Sequence, residues 1–251
     1  RSEEFRTEEG QKKAAKILTD RGFDALIAIG GDGTMHALDA LSNHWKGYLI
    51  GLPGTIDNDM YGTDYTIGFD TAVNNALSAL DKIRDTAEAF QRIFLVEVMG
   101  RHAGFIAFHV GFATGASAIL MPETDTTIEE LADKVVKARE KAKSSVLVVV
   151  AEGDELGNAE TIGKKLNERI GEKCRVSVLG YIQRGGNPTH FDRMLATRLG
   201  AYAIECLLSG EAGGLVGEVG GKLVMTPFEE TWTKKKSIDE WMLGLLDELS
   251  G

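Results

Sequence analysis

The sequence contains few of the residues that mark secreted, membrane-spanning or nucleic-acid-binding proteins. Its 251 residues include two cysteines and four prolines, and no apolar run approaches the roughly 18 residues that a membrane helix needs. Cys174 and Cys206 form neither a disulfide framework nor a CxxC metal clip, and the histidines lack metal-ligand spacing. The net charge of −10 disfavours nucleic-acid binding. We therefore expect a soluble cytoplasmic protein that binds neither a membrane nor nucleic acid.

Short aliphatic runs alternate with longer amphipathic ones along the chain. Several short runs are apolar almost throughout, which is typical of parallel strands buried on both faces. Strands are predicted at 24–29, 48–52, 92–98, 116–121, 144–151 and 175–179. Helices are predicted at 7–21, 34–42, 71–89, 103–113, 127–142, 190–208 and 237–249. We expect an α/β protein with layered, mostly parallel sheets flanked by helices.

Composition shifts near residues 114–125 and 211–221 predict two lobes. One lobe would contain residues 1–114 and 222–251, and the other residues 115–221. The last predicted helix would dock on the protein through apolar residues at helical spacing. These residues are Ile238, Trp241, Met242, Leu245, Leu246 and Leu249.

A glycine-rich segment, Gly30–Thr34, follows the first predicted strand and opens a helix. Glycines let backbone N–H groups approach a phosphate, and Thr34 adds a hydroxyl at the favourable end of the helix dipole. Asp32 fits as a ligand of Mg²⁺ bound to a nucleotide. The same residues also fit a tight turn in which Asp32 caps the backbone of Thr34 or Met35.

A second polar loop, Pro53–Asp59, follows the next predicted strand. Asp57 could accept a proton from a substrate hydroxyl while Thr55 contacts the phosphoryl group in transfer. The alternative is a cluster of Asx turns in which Asn58 and Asp59 satisfy their own backbone.

A third loop, Met99–Gly104, places Arg101 after another strand, where a guanidinium can stabilise phosphoryl charge. Glu152 ends a further strand and can accept hydrogen bonds from sugar hydroxyls. Arg92, Arg175 and Arg184 add fixed cations to an acidic protein. Each alone would be a surface ion-pair partner, but their common placement at strand ends favours a phosphosugar site.

Five ordered motifs resemble those of the bacterial-type, ATP-dependent 6-phosphofructokinases. They are GGDGT at 30–34, PGTIDND at 53–59, MGRHAG at 99–104, VAEG at 150–153 and GYIQRGGNP at 180–188. The resemblance covers essentially the whole chain. It implies transfer of a phosphoryl group from MgATP to fructose 6-phosphate in a cytosolic homotetramer, with the active site in a cleft between the lobes. The lobe of residues 1–114 and 222–251 would take the nucleotide, and the other lobe the sugar phosphate and an effector.

The resemblance also implies a role for individual residues, with Asp57 as the base on the 1-hydroxyl of the sugar. The reacting groups would be contacted by Asp57, Thr55 and Arg101. The sugar phosphate would be held by Ile56, Met99, Gly100, Glu152, Tyr181 and Arg184, and by Arg92 and Arg175 of a neighbouring subunit. The nucleotide would be held by Arg1, Gly31, Asp32, Gly33 and Thr34, with Asp32 carrying Mg²⁺.

Several positions depart from the family's pattern or select among its branches. Gly33 and Gly54 stand where pyrophosphate-using relatives carry Asp and Lys, which indicates ATP as the donor. Tyr181 stands where many relatives have His, so it cannot carry a proton's charge. The family's opening strand, with its GGDxxG loop, is missing before Arg1. We expect the sequence as given to lose ATP binding or to fold poorly.

The effector pocket of the family is only partly matched. Arg84 and Lys143 agree with it, whereas Ser117 replaces an acidic residue and Lys141 an arginine. A neutral hydroxyl is a poor ligand for a divalent cation, and an ammonium lacks the bidentate fork of a guanidinium. We therefore expect small or absent activation by ADP.

Two other functions would share part of this sequence pattern. NAD kinases and lipid kinases also use GGDG followed by Thr or Ser, but PGTIDND, MGRHAG and the QRGG loop argue against them. A non-catalytic phosphosugar-binding or regulatory subunit is the other alternative, since the opening strand is absent.

Overall fold

The computed structural model describes residues 3–141 and 146–250, with side chains up to residue 245. Its strands in chain order are β1 (Ala25–Gly30), β2 (Tyr48–Pro53), β3 (Ile93–Val98), β4 (Ala118–Leu120), β5 (Val146–Ala151), β6 (Arg175–Val178), β7 (Gly214–Val219) and β8 (Lys222–Pro227). Its α-helices are α1 (Glu8–Asp20), α2 (Asp32–Ser42), α3 (Phe69–Phe90), α4 (Phe105–Thr114), α5 (Ile128–Glu140), α6 (Ala159–Ile170), α7 (His190–Ser209), α8 (Glu230–Thr233) and α9 (Glu240–Ser250). Short 3₁₀ turns occupy Glu4–Arg6 and Gly180–Arg184.

The chain divides into two compact units. The first unit contains residues 1–55, 59–68 and 189–236. Its sheet has the order β1-β2-β7-β8, in which β8 alone of the described strands runs antiparallel. Apolar side chains pack on both faces of this sheet. One cluster includes Met35, Leu38 and Leu215, and the other includes Ile50, Leu199 and Val216.

The second unit contains residues 56–58, 69–188 and 237–251. Its sheet has the order β4-β5-β3-β6, and its strands are parallel. The sequence of β5 is VLVVVA, and each of these side chains is buried. Such a strand needs helices on both faces of the sheet, and the two apolar clusters of this unit provide them through α3 and α4 on one face and α5 and α6 on the other.

The structure confirms the predicted fold class. The division into units differs from the predicted lobes, because β7 pairs with β2 and therefore draws residues 189–236 into the first unit. Trp241 was expected on the docked face of the last helix, but it is 71% exposed, and Ile238 is buried before that helix begins.

Both cysteines are free and buried. Burial raises the pKa of the Cys174 thiol to about 11, so this group stays protonated near neutral pH. Among residues 3–141 and 146–250, no helix is long and apolar enough to cross a membrane.

Candidate active site

The glycine-rich segment of the first unit lies between β1 and α2. Gly31 precedes the helix, and its carbonyl accepts the N–H groups of Thr34 and Met35 at 2.8 and 3.3 Å. Asp32 is the first helical residue, and the cap position is Gly31. Gly31 itself has no side chain that could cap this end of the helix. Backbone N–H groups at a helix start suit an anion.

Thr55 lies beside the glycine-rich segment in the same unit. A Cβ on Gly31 would stand 3.4 Å from the Cβ of Thr55. The backbone N–H of Gly54 donates to the carbonyl of Gly30 at 3.0 Å. A Cβ on Gly30 would stand 2.1 Å from the hydroxyl oxygen of Thr34, so only glycine fits there. The glycine-rich segment and the residues Gly54 and Thr55 thus lie side by side at the carboxyl ends of β1 and β2.

Asp57 and Arg101 form an ion pair within the second unit. The distance from Nε of Arg101 to Oδ2 of Asp57 is 3.6 Å. The Asp57 side chain is 8% exposed and that of Arg101 is 53% exposed. A nearly buried carboxylate beside a half-exposed guanidinium suits proton acceptance next to a developing phosphoryl charge. Ile56 precedes this carboxylate and packs on the core of the unit.

The loop that carries Arg101 has an unusual backbone. Gly100 has φ +144°, and a Cβ there would stand 2.4 Å from the carbonyl oxygen of Ala103. Arg101 itself has φ +55°, a conformation that costs a non-glycine residue of order 1 kcal/mol. The predicted helix start at residue 103 is two residues early, because α4 begins at Phe105. Ala103 and Gly104 therefore belong to the loop and not to the helix.

Glu152 supports this loop from the end of β5. Its carboxylate accepts the backbone N–H of Arg101 at 3.3 Å. Gly153 follows, and a Cβ there would stand 1.9 Å from the carbonyl oxygen of Arg101. The next residue, Asp154, has a pKa raised above its usual value, mainly because it is partly buried. The VAEG motif therefore contacts the MGRHAG motif directly.

Glu123 was not singled out from the sequence, yet it contacts the same loop. Its two carboxylate oxygens accept the backbone N–H of Gly104 at 2.8 and 3.0 Å. Gly104 is the cap position of α4 and has no side chain of its own to serve as a cap. Glu123 supplies that cap from 19 residues further along the chain, and a sequence separation of that size hides it from local pattern analysis.

Tyr181 and Arg184 lie in the turn after β6. The guanidinium carbon of Arg184 stands 5.3 Å from the centre of the Tyr181 ring, and Tyr181 is 78% exposed. Gln183, between them, is 1% exposed. Its side-chain oxygen accepts the backbone N–H of Met99 at 3.2 Å. The turn is therefore joined to the MGRHAG loop by a residue that the sequence did not single out.

Arg92 and Arg175 are not brought to the residues just described. Both lie at the amino ends of β3 and β6, and Arg175 pairs in register with Phe94. Met99, Glu152 and Tyr181 follow the opposite, carboxyl ends of the strands. A strand of six residues spans roughly 20 Å, so the predicted common placement of these arginines does not hold within one chain. Arg92 lies over the ring of Phe90 at 4.5 Å.

The predicted effector residues are partly brought together. Arg84 donates to the carbonyl of Thr114, at the end of α4. Ser117 lies just beyond and is 4% exposed. Lys141 is exposed after α5. Lys143, like the nucleotide residue Arg1, lies outside the described residues.

Comparisons with known proteins agree with the motifs. A family model described as phosphofructokinase matches residues 1–207. The ATP-dependent 6-phosphofructokinase 1 of Thermus thermophilus is 49% identical over 250 residues, which are 100% of this chain and 78% of that protein. The ATP-dependent 6-phosphofructokinase of Halalkalibacterium halodurans is 48% identical over 251 residues, 100% of this chain and 77% of that protein.

Solved structures agree as well. Phosphofructokinase from Saccharomyces cerevisiae superposes with a TM-score of 0.82 at 32% identity, over 99% of this chain and 36% of that one. The pyrophosphate-dependent phosphofructokinase from Marinobacter aquaeolei has a TM-score of 0.81 at 23% identity, over 98% of this chain and 72% of that one, which shows the fold alone. Because the family model covers most of the chain and relatives match it from end to end, the chain belongs to the phosphofructokinase family.

Proposed function

We propose that this protein transfers the terminal phosphoryl group of ATP to the 1-hydroxyl of fructose 6-phosphate, giving ADP and fructose 1,6-bisphosphate. The observation that carries the proposal is the pair formed by Asp57 and Arg101 at 3.6 Å. This pair combines a nearly buried proton acceptor with a guanidinium on a loop that is held by Glu152 and Gln183. Relatives named ATP-dependent 6-phosphofructokinase support the choice of substrates.

In the proposed step, Asp57 accepts the proton of the 1-hydroxyl as that oxygen bonds to the terminal phosphorus of ATP. The bond between this phosphorus and its bridging oxygen breaks, and ADP leaves with the electron pair. Arg101 and Thr55 stabilise the charge on the transferring group. A base that acts on the attacking hydroxyl contributes about 10²- to 10⁴-fold to the rate.

The sugar phosphate is proposed to bind the second unit, and the nucleotide the first. The residues for the sugar phosphate are Ile56, Met99, Gly100, Glu152, Tyr181 and Arg184. Arg92 and Arg175 would serve a neighbouring subunit, which makes the active form a homo-oligomer, proposed to be a tetramer. Their distance along the strands from the other sugar residues of the same chain supports this assignment.

The nucleotide phosphates are proposed to lie at the start of α2, beside Gly31, Gly33 and Thr34. Asp32 would hold Mg²⁺ there. A single carboxylate fits this ion, which usually takes one or two carboxylates together with substrate phosphates. Bound Mg²⁺ would neutralise phosphate charge.

The test of this function is a product assay with separate binding measurements. The full-length protein is purified and given MgATP and fructose 6-phosphate, and fructose 1,6-bisphosphate is followed by ³¹P NMR. Binding of fructose 6-phosphate and of MgATP is titrated separately, with pyrophosphate as an alternative donor. We expect sugar-phosphate binding and turnover with ATP in preference to pyrophosphate. Sugar-phosphate binding without turnover under any donor would favour the phosphosugar-binding alternative.

Gly33→Asp is expected to raise the KM for ATP at least tenfold and to leave the KM for fructose 6-phosphate unchanged. Among the described residues nothing lies within 4 Å of a Cβ at Gly33, so the side chain fits, and its charge repels the phosphates. Gly33→Asn is the matched control, because it adds the same bulk without charge. Steady-state kinetics decide, and equal effects of Asp and Asn would contradict the electrostatic reason.

A substitution at Gly33 tests the choice of phosphoryl donor more directly than one at Gly54. A Cβ on Gly54 would stand 2.7 Å from Cγ2 of Ile29 and 3.2 Å from the backbone nitrogen of Gly30. Gly54→Lys therefore strains the loop in addition to adding charge. A loss of ATP use in that variant would have two causes.

We propose that regulation by ADP is weak. Ser117 has a neutral hydroxyl and is nearly buried, and the guanidinium of Arg84 already contacts the carbonyl of Thr114. Neither feature favours a site for a metal-bound diphosphate. Lys141 and Lys143 are still proposed to bind the effector.

A further inference from the structure

Gln183 is a buried glutamine whose side chain joins two loops. Its Oε1 accepts the backbone N–H of Met99 at 3.2 Å, and its Nε2 donates to the carbonyl of Gly180 at 3.1 Å. The residue is 1% exposed. A buried amide that lost these partners would leave backbone polar groups unsatisfied, so both bonds are costly to break. Gln183 thus ties the loop after β3 to the turn after β6.

The turn after β6, which carries Gln183, is itself fixed by other contacts. The side-chain amide of Asn75, on α3, donates to the carbonyl of Gly185 at 2.7 Å and to that of Gln183 at 3.4 Å. A Cβ on Gly186 would stand 3.4 Å from the Asn75 oxygen. The backbone on either side of Arg184 is therefore held against a long helix. Gln183 projects from this fixed turn.

The loop after β3 needs support from residues outside it. Arg101 adopts a φ of +55°, and a non-glycine residue keeps such a conformation only where neighbouring contacts impose it. Glu152 holds the N–H of Arg101 at 3.3 Å, and Gln183 holds the N–H of Met99. Each end of the three-residue segment Met99–Arg101 thus has one side-chain acceptor. Loss of either acceptor frees one end.

We propose that Gln183 is a positioning residue that fixes Met99–Arg101 relative to Arg184. This inference rests on the proposed function, in which Met99 and Arg184 hold the sugar phosphate and Arg101 contacts the transferring phosphoryl group. One amide then sets both the grip on the sugar and the placement of the catalytic guanidinium. Gln183 itself contacts neither substrate.

Gln183→Met tests the proposal by replacing the amide with an apolar side chain of similar length. We expect kcat/KM for fructose 6-phosphate to fall about 100-fold, since a displacement of 1 Å can cost that much. The fall should appear in both KM and kcat, while the KM for ATP changes less than threefold. The matched control is Gln11→Met, because the half-buried Gln11 of α1 also donates its amide to a backbone carbonyl, that of Phe5 at 3.2 Å. The control should leave the KM for fructose 6-phosphate unchanged.

Gln183→Glu separates positioning from packing by its pH dependence. A protonated carboxyl can accept the Met99 N–H and donate to the Gly180 carbonyl, whereas an ionised one cannot donate. Burial raises the pKa of such a carboxyl toward the assay range. Arg101, Arg184 and His102 are present in the wild type as well, so the ratio of the two activities isolates the effect of residue 183. The activity of Gln183→Glu relative to wild type is therefore expected to be about tenfold higher at pH 6 than at pH 8.

The outcomes distinguish this inference from the proposed function. Wild-type kinetics in Gln183→Met, or a flat relative pH profile in Gln183→Glu, would overturn the positioning role while the wild-type enzyme remains active. If Gln183→Met does not fold, the relative pH profile of Gln183→Glu decides alone. Failure of the wild-type protein to bind fructose 6-phosphate would instead reject the proposed function, and with it the inference.

Discussion

Asp57→Ser is expected to lower kcat by about 10³- to 10⁴-fold with little change in the KM for fructose 6-phosphate. A general base acts in the transition state, so its loss falls on turnover and not on ground-state binding. The fold should survive the substitution, because Arg101 is 53% exposed and keeps water around its charge when its partner is removed. Steady-state kinetics with varied sugar phosphate measure both constants.

Asp85→Ser provides the control for this substitution. Asp85 is exposed on α3 of the same unit and has no proposed role. It should leave kcat and KM unchanged. A kcat for Asp57→Ser within tenfold of the wild type would mean that another group accepts the proton.

Gly153→Ala is expected to reduce both activity and stability. The added Cβ would stand 1.9 Å from the carbonyl oxygen of Arg101 and 2.8 Å from its carbonyl carbon. Backbone cannot yield as a flexible side chain does, so the loop of Arg101 must move. We expect kcat/KM to fall about 100-fold and the free energy of unfolding to fall by about 1–3 kcal/mol. Kinetics and urea denaturation measure the two effects.

Gly200→Ala serves as the matched substitution. Gly200 lies inside α7, and among the described residues nothing lies within 4 Å of its Cβ position. The same change there should stabilise the protein by about 0.5–1 kcal/mol, because alanine is the better helix former. Wild-type activity in Gly153→Ala would show that the loop tolerates displacement, and would weaken the proposed role of Arg101.

The sequence predicts the elements whose own residue pattern is distinctive. The run VLVVVA predicted a strand buried on both faces, and β5 is buried throughout. In the second half of the chain the sequence pattern does not predict α6, β7 or β8. Helix α6 is amphipathic, β7 lies in the glycine-rich stretch 211–221 that indicates a change of lobe, and β8 follows that stretch. Strand β7 gains its place by pairing with β2, more than 150 residues earlier.

The candidate site, too, could be predicted from the sequence only in part. Asp57 and Arg101 were predicted because charged residues in loops after strands stand out, and the structure pairs them. Gln183 and Glu123 were missed because each acts on a backbone N–H that is distant in sequence. Arg92 was predicted near strand ends without the direction of the strand, and it lies at the amino end. Direction and long-range partners come only from the tertiary fold.

The first unit is built from separate segments of the chain, and this arrangement has a consequence for biosynthesis. The strands of the second sheet, β3 to β6, are all translated by Val178, whereas the first sheet waits for β7, which begins at Gly214. Until then Ile50 and Leu52 of β2 lack Val216 of β7, which packs with them in the finished unit. A chain that stalls on the ribosome, or is cut, before residue 214 therefore presents an open apolar strand to other chains and is prone to aggregate.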